Sequence, residues 1–162
     1  MCLSRYLFLC ICLSAGFNVS AEFPPTCQPA TTPNSCQFYA NCLEAKNQCG
    51  KDGYALGYGK KYCISFNSLE LSQQGEDWIT ATMACLQGAL VDFANNTSSC
   101  ESIKQTAFES HVKCYVNNGF CDLSLEDQVT ISETVIWDAL TSVEGINQSA
   151  STLTECLKKK WD

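Results

Sequence analysis

The stretch "GEDWITATMACLQGALVDFANN", Gly75 to Asn96, decides the fold class. Trp78, Thr82, Cys85, Leu86, Ala89, Leu90 and Phe93 recur at steps of three or four, which places them on one face of an α-helix. Glu76 and Asp77 fall in its first turn, where negative charge complements the N-terminal dipole, and Asn95 and Asn96 are suitable stop residues.

The same period continues outward. In "SCESIKQTAFESHVKCYVNNG" the residues Cys100, Ile103, Ala107, His111, Cys114 and Tyr115 align, with Ser99 as cap and Asn117-Asn118-Gly119 as terminator. A further helix is predicted over "LEDQVTISETVIWDALTSV", broken near Ile131 if Thr130 and Glu133 form a capping box. The last covers "SASTLTECLKKK", with Ala150, Leu153 and Leu157 on its inner face. Upstream, Cys36, Tyr39, Ala40 and Leu43 make a short first helix. No alternating apolar runs are bounded by hairpin turns. The expectation is therefore all-α: a small disulfide-rich helical domain of four to six helices with an irregular N-terminal arm, the latter because Glu22–Asn34 holds four prolines.

Met1–Ala21 reads as a secretory signal peptide, with Arg5, an apolar run from Tyr6 to Leu13 and the small-residue site Val19-Ser20-Ala21. Residues 22–162 are then expected to form one domain, secreted and extracellular. Three of the 13 cysteines leave with the leader; the ten that remain are Cys27, Cys36, Cys42, Cys49, Cys63, Cys85, Cys100, Cys114, Cys121 and Cys156. An even number on an exported chain predicts five disulfides, and cysteines on inward stripes suggest staples from helix to helix. With no C-x-x-C pair and a single histidine, no metal site is expected.

Without the leader there are nine basic and 17 acidic residues, a net charge of −8 with His111 neutral. That balance disfavours nucleic acid and anionic lipid, and no membrane insertion is expected. Lys158–Lys160 reads as a solvated helix end.

The segment "GYALGYGKKYC", Gly53–Cys63, invites a search for chemistry. It fails as a phosphate loop, since five residues separate Gly53 from Gly59 and Lys60 is followed by Lys61 where a hydroxyl is needed. It superficially resembles the calcium loop of secreted phospholipases A2, but His111 in "ESHVKCYV" has neither the adjacent cysteine pair nor the following aspartate that chemistry needs. His111 is expected to be a packing residue. Glu76-Asp77, Glu126-Asp127 and Glu133-Asp138 read as solvated or first-turn carboxylates. No catalytic residue and no cofactor is expected. Gly53, Gly57 and Gly59 are read as positive-φ positions of an enlarged turn, carrying Tyr54 and Tyr58 as exposed partner contacts or as packing residues. "NNTS" offers overlapping glycosylation acceptors at Asn95 and Asn96, and "NQS" offers one at Asn147. A helical carrier holding a small apolar ligand between its helices is the alternative function.

The gaps between the ten cysteines, 8, 5, 6, 13, 21, 14, 13, 6 and 34 residues, resemble those of the stanniocalcins, a family of secreted glycoprotein hormones. So do "NCLEAKNQCGKDGYALGYGKKYCISF", "QGEDWITATMACL" and "KCYVNNGFCDL", and the resemblance runs from Cys27 to Cys156. It implies the pairing Cys27–Cys42, Cys36–Cys63, Cys49–Cys100, Cys85–Cys114 and Cys121–Cys156. It also implies an extracellular protein partner, a receptor or a metalloproteinase, and a role in calcium or phosphate homeostasis. The insert between Cys49 and Cys63 is longer than in the family, and the family's acceptor before the cysteine matching Cys49 is absent. The additional cysteine that joins two family chains is missing as well, so no intermolecular disulfide is expected and a noncovalent homodimer stays open.

Overall fold

The computed structural model describes residues 27, 35–141 and 143–161. The leader and the proline-rich arm, apart from Cys27, lie outside the described residues. Among the described residues every element is helical and no strand occurs. The protein is a small, disulfide-rich, all-α domain.

The chain opens on a wide π-helical turn, Tyr39–Glu44, that runs into the short α1, Ala45–Asn47. A second π-helical stretch, Tyr54–Lys60, continues into α2, Lys61–Phe66. This is the glycine-rich insert, and it is a helix, not a loop. Gly53, Gly57 and Gly59 take no positive φ; among the described glycines only Gly50 and Gly119 do. Gly59 is required for a different reason. A Cβ there would run into the ring of Tyr39, so the missing side chain is the seat on which that ring lies.

The helix read from Gly75–Asn96 is α3, Gln73–Gly88, followed after a tight turn by α4, Val91–Asn95. Trp78, Thr82 and Leu86 are buried along the face of α3, and Leu90 is buried in the turn before α4. α5, Cys100–Asn117, starts where Ser99 Oγ accepts from the Ser102 amide and buries Ile103, Ala107, His111, Cys114 and Tyr115. A 3-10 turn, Phe120–Asp122, leads to α6, Leu125–Thr141, and α7, Val143–Trp161. α6 runs through Ile131 unbroken: Thr130 offers its carbonyl to Thr134 Oγ1 instead of capping Glu133.

The sulfurs join Cys27 to Cys42, Cys36 to Cys63, Cys49 to Cys100, Cys85 to Cys114 and Cys121 to Cys156. Only Cys85–Cys114 staples two long helices, α3 to α5; each of the others ties a turn or an element end to a helix. Trp78 Nε1 donates to the Tyr115 carbonyl at 3.2 Å, a second tie between α3 and α5. The Cys85–Cys114 loop spans 29 residues. Closing a loop of that size stabilises by about 3–4 kcal/mol in the chain-entropy account.

One carboxylate holds two helix ends. Asp127, in the first turn of α6, accepts from Ser72 Oγ at 2.6 Å and from the Ser72 amide at 3.0 Å, while Ser72 caps α3 through the Gly75 amide. The Asp127 amide is itself capped by Ser124 Oγ at 3.1 Å. Asp127 is thus buried, contrary to its reading as a solvated carboxylate, and Ser72's bonds hold its carboxyl below the ordinary range. Gly75 leaves room for this approach, since a Cβ there would come within 3.1 Å of the Asp127 carboxyl carbon. Asp127→Ala removes two charge-assisted bonds and should lower stability by about 1–3 kcal/mol. Urea unfolding with the disulfides intact should show the midpoint fall at unchanged slope. Gly59→Ala should cost a similar amount, about 1–3 kcal/mol, by overpacking against Tyr39.

Candidate functional site

α5 and α7 lie side by side and run in the same sense. Lys104 Nζ meets Glu144 Oε1 at 2.8 Å near their starts, and Cys121–Cys156 fixes the later part of α7 beside the turn that follows α5. Lys159 pairs with Asp122 at the same end. Between the two helices runs an open groove of about 390 Å³. Phe108 and Val112 give it apolar walls, α7 contributes Asn147, Gln148 and Ser151, and Glu101, Glu109 and Glu144 line it against a single Lys104. Glu109 is steadied by the Gln105 amide at 2.8 Å, a contact one helical turn apart. Such a groove offers a hydrophobic floor and an anionic rim, a surface suited to a basic protein segment.

Beneath the groove lies a buried seam. His111 is 2% exposed, packed among Tyr54, Tyr58, Phe108 and Tyr115 with ring centroids 5.3–6.3 Å away. Its Nε2 stands 3.3 Å from the Tyr54 hydroxyl. Desolvation pulls the imidazole down from 6.5 to about 4, so it is neutral at physiological pH. The same desolvation raises the phenols of Tyr39, Tyr54 and Tyr115 far above their ordinary value and keeps them protonated. His111 Nδ1, Gln148 Oε1 and Thr152 Oγ1 close no hydrogen bond with a protein atom among the described residues.

Among the described residues, His111 packs against aromatic rings and meets the Tyr54 hydroxyl. It is a packing residue, as its stripe on α5 suggested. Tyr54 is buried and Tyr58 half-buried, stacked on each other at 5.6 Å, so they line the core and are not exposed partner contacts. The internal space bounded by Tyr39, Tyr54, Tyr62, Met83 and His111 is about 10 Å³. That is on the order of one water molecule, too small for an apolar cargo in this conformation. Among the described residues no three His, Cys, Asp or Glu side chains gather as metal ligands, and no helix is long and apolar enough to cross a membrane.

The three asparagines of the glycosylation sequence patterns fall on the surface. Asn95 closes α4 and Asn96 follows it, their amides donating to the Val91 and Asp92 carbonyls at 3.0 Å. Asn147 is exposed on α7 at the edge of the groove. No protein-family model, curated protein or solved structure matches the chain.

Two features escaped the sequence reading. The Ser72–Asp127 link spans 55 residues, and only the spacing S-x-x-D at Ser124–Asp127 could have hinted at its α6 half. α7 is also longer and turned otherwise than expected. It begins at Val143, and its buried positions are Gly145, Gln148 and Thr152, while Ala150, Leu153 and Leu157 face solvent.

The buried imidazole makes stability depend on pH. The unfolded ring binds its proton near 6.5 and the folded one near 4, so between those values the unfolded state holds more protons. The His111 contribution should be complete above pH 6.5, fall by roughly 3 kcal/mol as pH drops to 4, and level off below. Chemical denaturation across this range, wild type against His111→Gln, should show that increment only in the wild type.

Proposed function

We propose that the chain is an exported, stanniocalcin-like signalling glycoprotein that acts by binding an extracellular protein, not by catalysis. The observation that carries this reading is the closure of all ten cysteines from Cys27 onward into five disulfides across one helical body. Such use of cysteine suits an oxidising compartment and a small body whose shape must hold without a large core. The signal-peptide pattern of Met1–Ala21 and the surface acceptors at Asn95, Asn96 and Asn147 support the same compartment. The cysteine spacing adds the hormone resemblance, and with it a role in calcium or phosphate homeostasis and a receptor or metalloproteinase as target.

The groove between α5 and α7 is the surface we assign to that partner. Its rim carries Glu101, Glu109 and Glu144 over Phe108 and Val112, so the complementary segment is basic with an apolar anchor.

Affinity capture from extracellular fluid, with the secreted chain immobilised, tests the reading. It predicts a saturable protein partner that free chain displaces. Glu101→Lys with Glu109→Lys should weaken that capture at least tenfold, since reversing two rim charges turns attraction into repulsion. Absence of any saturable partner, or capture indifferent to both charges, would remove the proposal.

A further inference from the structure

Asn147 stands on a ridge of α7. One turn away on one side, Glu144 and Ser151 line the groove together with it. One turn away on the other side, Val143 and Ala150 are open to solvent. Asn147 and Ser149, the two residues that define the N-x-S pattern, are both exposed, while Gln148 between them is turned inward. A substituent on Asn147 Nδ2 therefore leaves the seam beneath α7 undisturbed. Asn95 and Asn96, at the end of α4, line no part of the groove.

Carbohydrate anchored on this ridge has two surfaces beside it, and their chemistry differs. Toward Val143 and Ala150 the helix offers apolar carbon. Toward α5 it meets Glu101, Gln105, Phe108 and Glu109. Sugar hydroxyls donate to carboxylates through charge-assisted bonds. Glu109 accepts from Gln105 at 2.8 Å, and a carboxylate provides about four acceptor sites, so it has capacity for a sugar as well. The C–H face of a pyranose ring packs on an aromatic wall, which Phe108 supplies. At about 390 Å³ the groove also falls within the roughly 300–1,000 Å³ of small-molecule sites.

We propose that Asn147 carries N-linked carbohydrate whose first sugars lie in the α5–α7 groove and close it to the basic segment assigned above. In the transfer, Asn147 Nδ2 bonds to C1 of an oligosaccharide carried on a lipid diphosphate. The C1–O bond to the diphosphate breaks, the diphosphate leaves with the electron pair, and the amide nitrogen gives up one proton. Nothing is oxidised or reduced. The proposal rests on the reading of the chain as exported, since that donor is met in the export pathway. Its consequence for binding rests also on the groove as the partner's seat; the covering of the groove does not. Glycosylated and bare chains are then a closed and an open form of one protein.

The test compares the full secreted chain from a eukaryotic host with two variants, Ser149→Ala, which destroys the acceptor pattern, and Ser149→Thr, which keeps it. Both leave every groove-lining side chain in place, and enzymatic removal of the glycan is avoided because it would leave an aspartate. Peptide mass should show carbohydrate on Asn147 in wild type and Ser149→Thr, and none in Ser149→Ala. Carbodiimide coupling of glycinamide then reads the covering: Glu109 should react roughly threefold less in the two glycosylated forms than in Ser149→Ala, because the glycan is bulky. Glu133, exposed on α6, should react alike in all three. A labelled peptide of lysines around one leucine reads the consequence and should bind Ser149→Ala roughly tenfold more tightly than wild type. An unmodified Asn147, or equal coupling at Glu109 in all three forms, would overturn the proposal, as would a peptide that binds all three equally. A peptide that binds none of them while Glu109 stays shielded would support the covering and remove the groove as a seat for a basic partner.

Discussion

The ring of Tyr39 lying on Gly59 is the contact on which the rest of the core is arranged. It holds the first wide turn against the second, and from there an aromatic chain runs through Tyr54, Tyr58 and Phe108 to His111 and Tyr115 on α5, with centroids 5.0–6.4 Å apart. Edge-on and tilted packing of this kind adds about 0.5–1.5 kcal/mol per pair to area burial. The π-helical form of Tyr54–Lys60 follows from the same demand. A wider turn lets Tyr54 and Tyr58 stack on each other and still face α5, and its glycines, Gly57 and Gly59, keep Cβ atoms away from the Lys51–Asp52 backbone and from Tyr39.

Cross-links and core divide the work along the chain. In the first part, where elements are short, three disulfides fix Cys27, Cys36 and Cys49 to their partners, because helices of three to six residues cannot persist by themselves. In the later part the helices are long enough to pack, and sulfur is used sparingly. Asp127 takes over the role of a staple there, setting α6 against α3 by accepting from both the amide and the hydroxyl of Ser72, the cap of α3. α7 is held by its ends, through Lys104–Glu144 at one and Cys121–Cys156 with Asp122–Lys159 at the other, over a seam of His111, Gln148 and Thr152.

What could be read from the sequence follows from which forces are local. α3 and α5 were legible because Trp78 to Leu90 and Ile103 to Tyr115 keep a helical period with caps at Ser99 and Gly119, all within one segment. His111 was legible as a core residue for the same reason. The glycine insert was not. Three glycines in seven residues argue for a turn by intrinsic propensity, and only Tyr39, far from it in sequence, turns that stretch into a helix. Asp127 was misread because its partner Ser72 lies 55 positions away and no local pattern connects them. The periodicity of α7 was seen in part, but its direction was inverted, since an apolar row is taken to face inward unless something else shows where the core lies.

That inversion explains how α7 can be attached while its apolar row stays exposed. Burying Gln148 and Thr152 costs more than burying leucines would, because each polar atom loses water and some close no bond in return. A helix docked through such a seam gains little from burial, and its position depends on the disulfide at Cys156 and the ion pairs at its ends. In exchange the apolar row stays outside. Turning α7 about its axis to bury that row would carry Cys156 away from Cys121, so the covalent bond sets the rotation of the helix. The disulfide therefore does more than add stability: it selects which face of α7 the core receives.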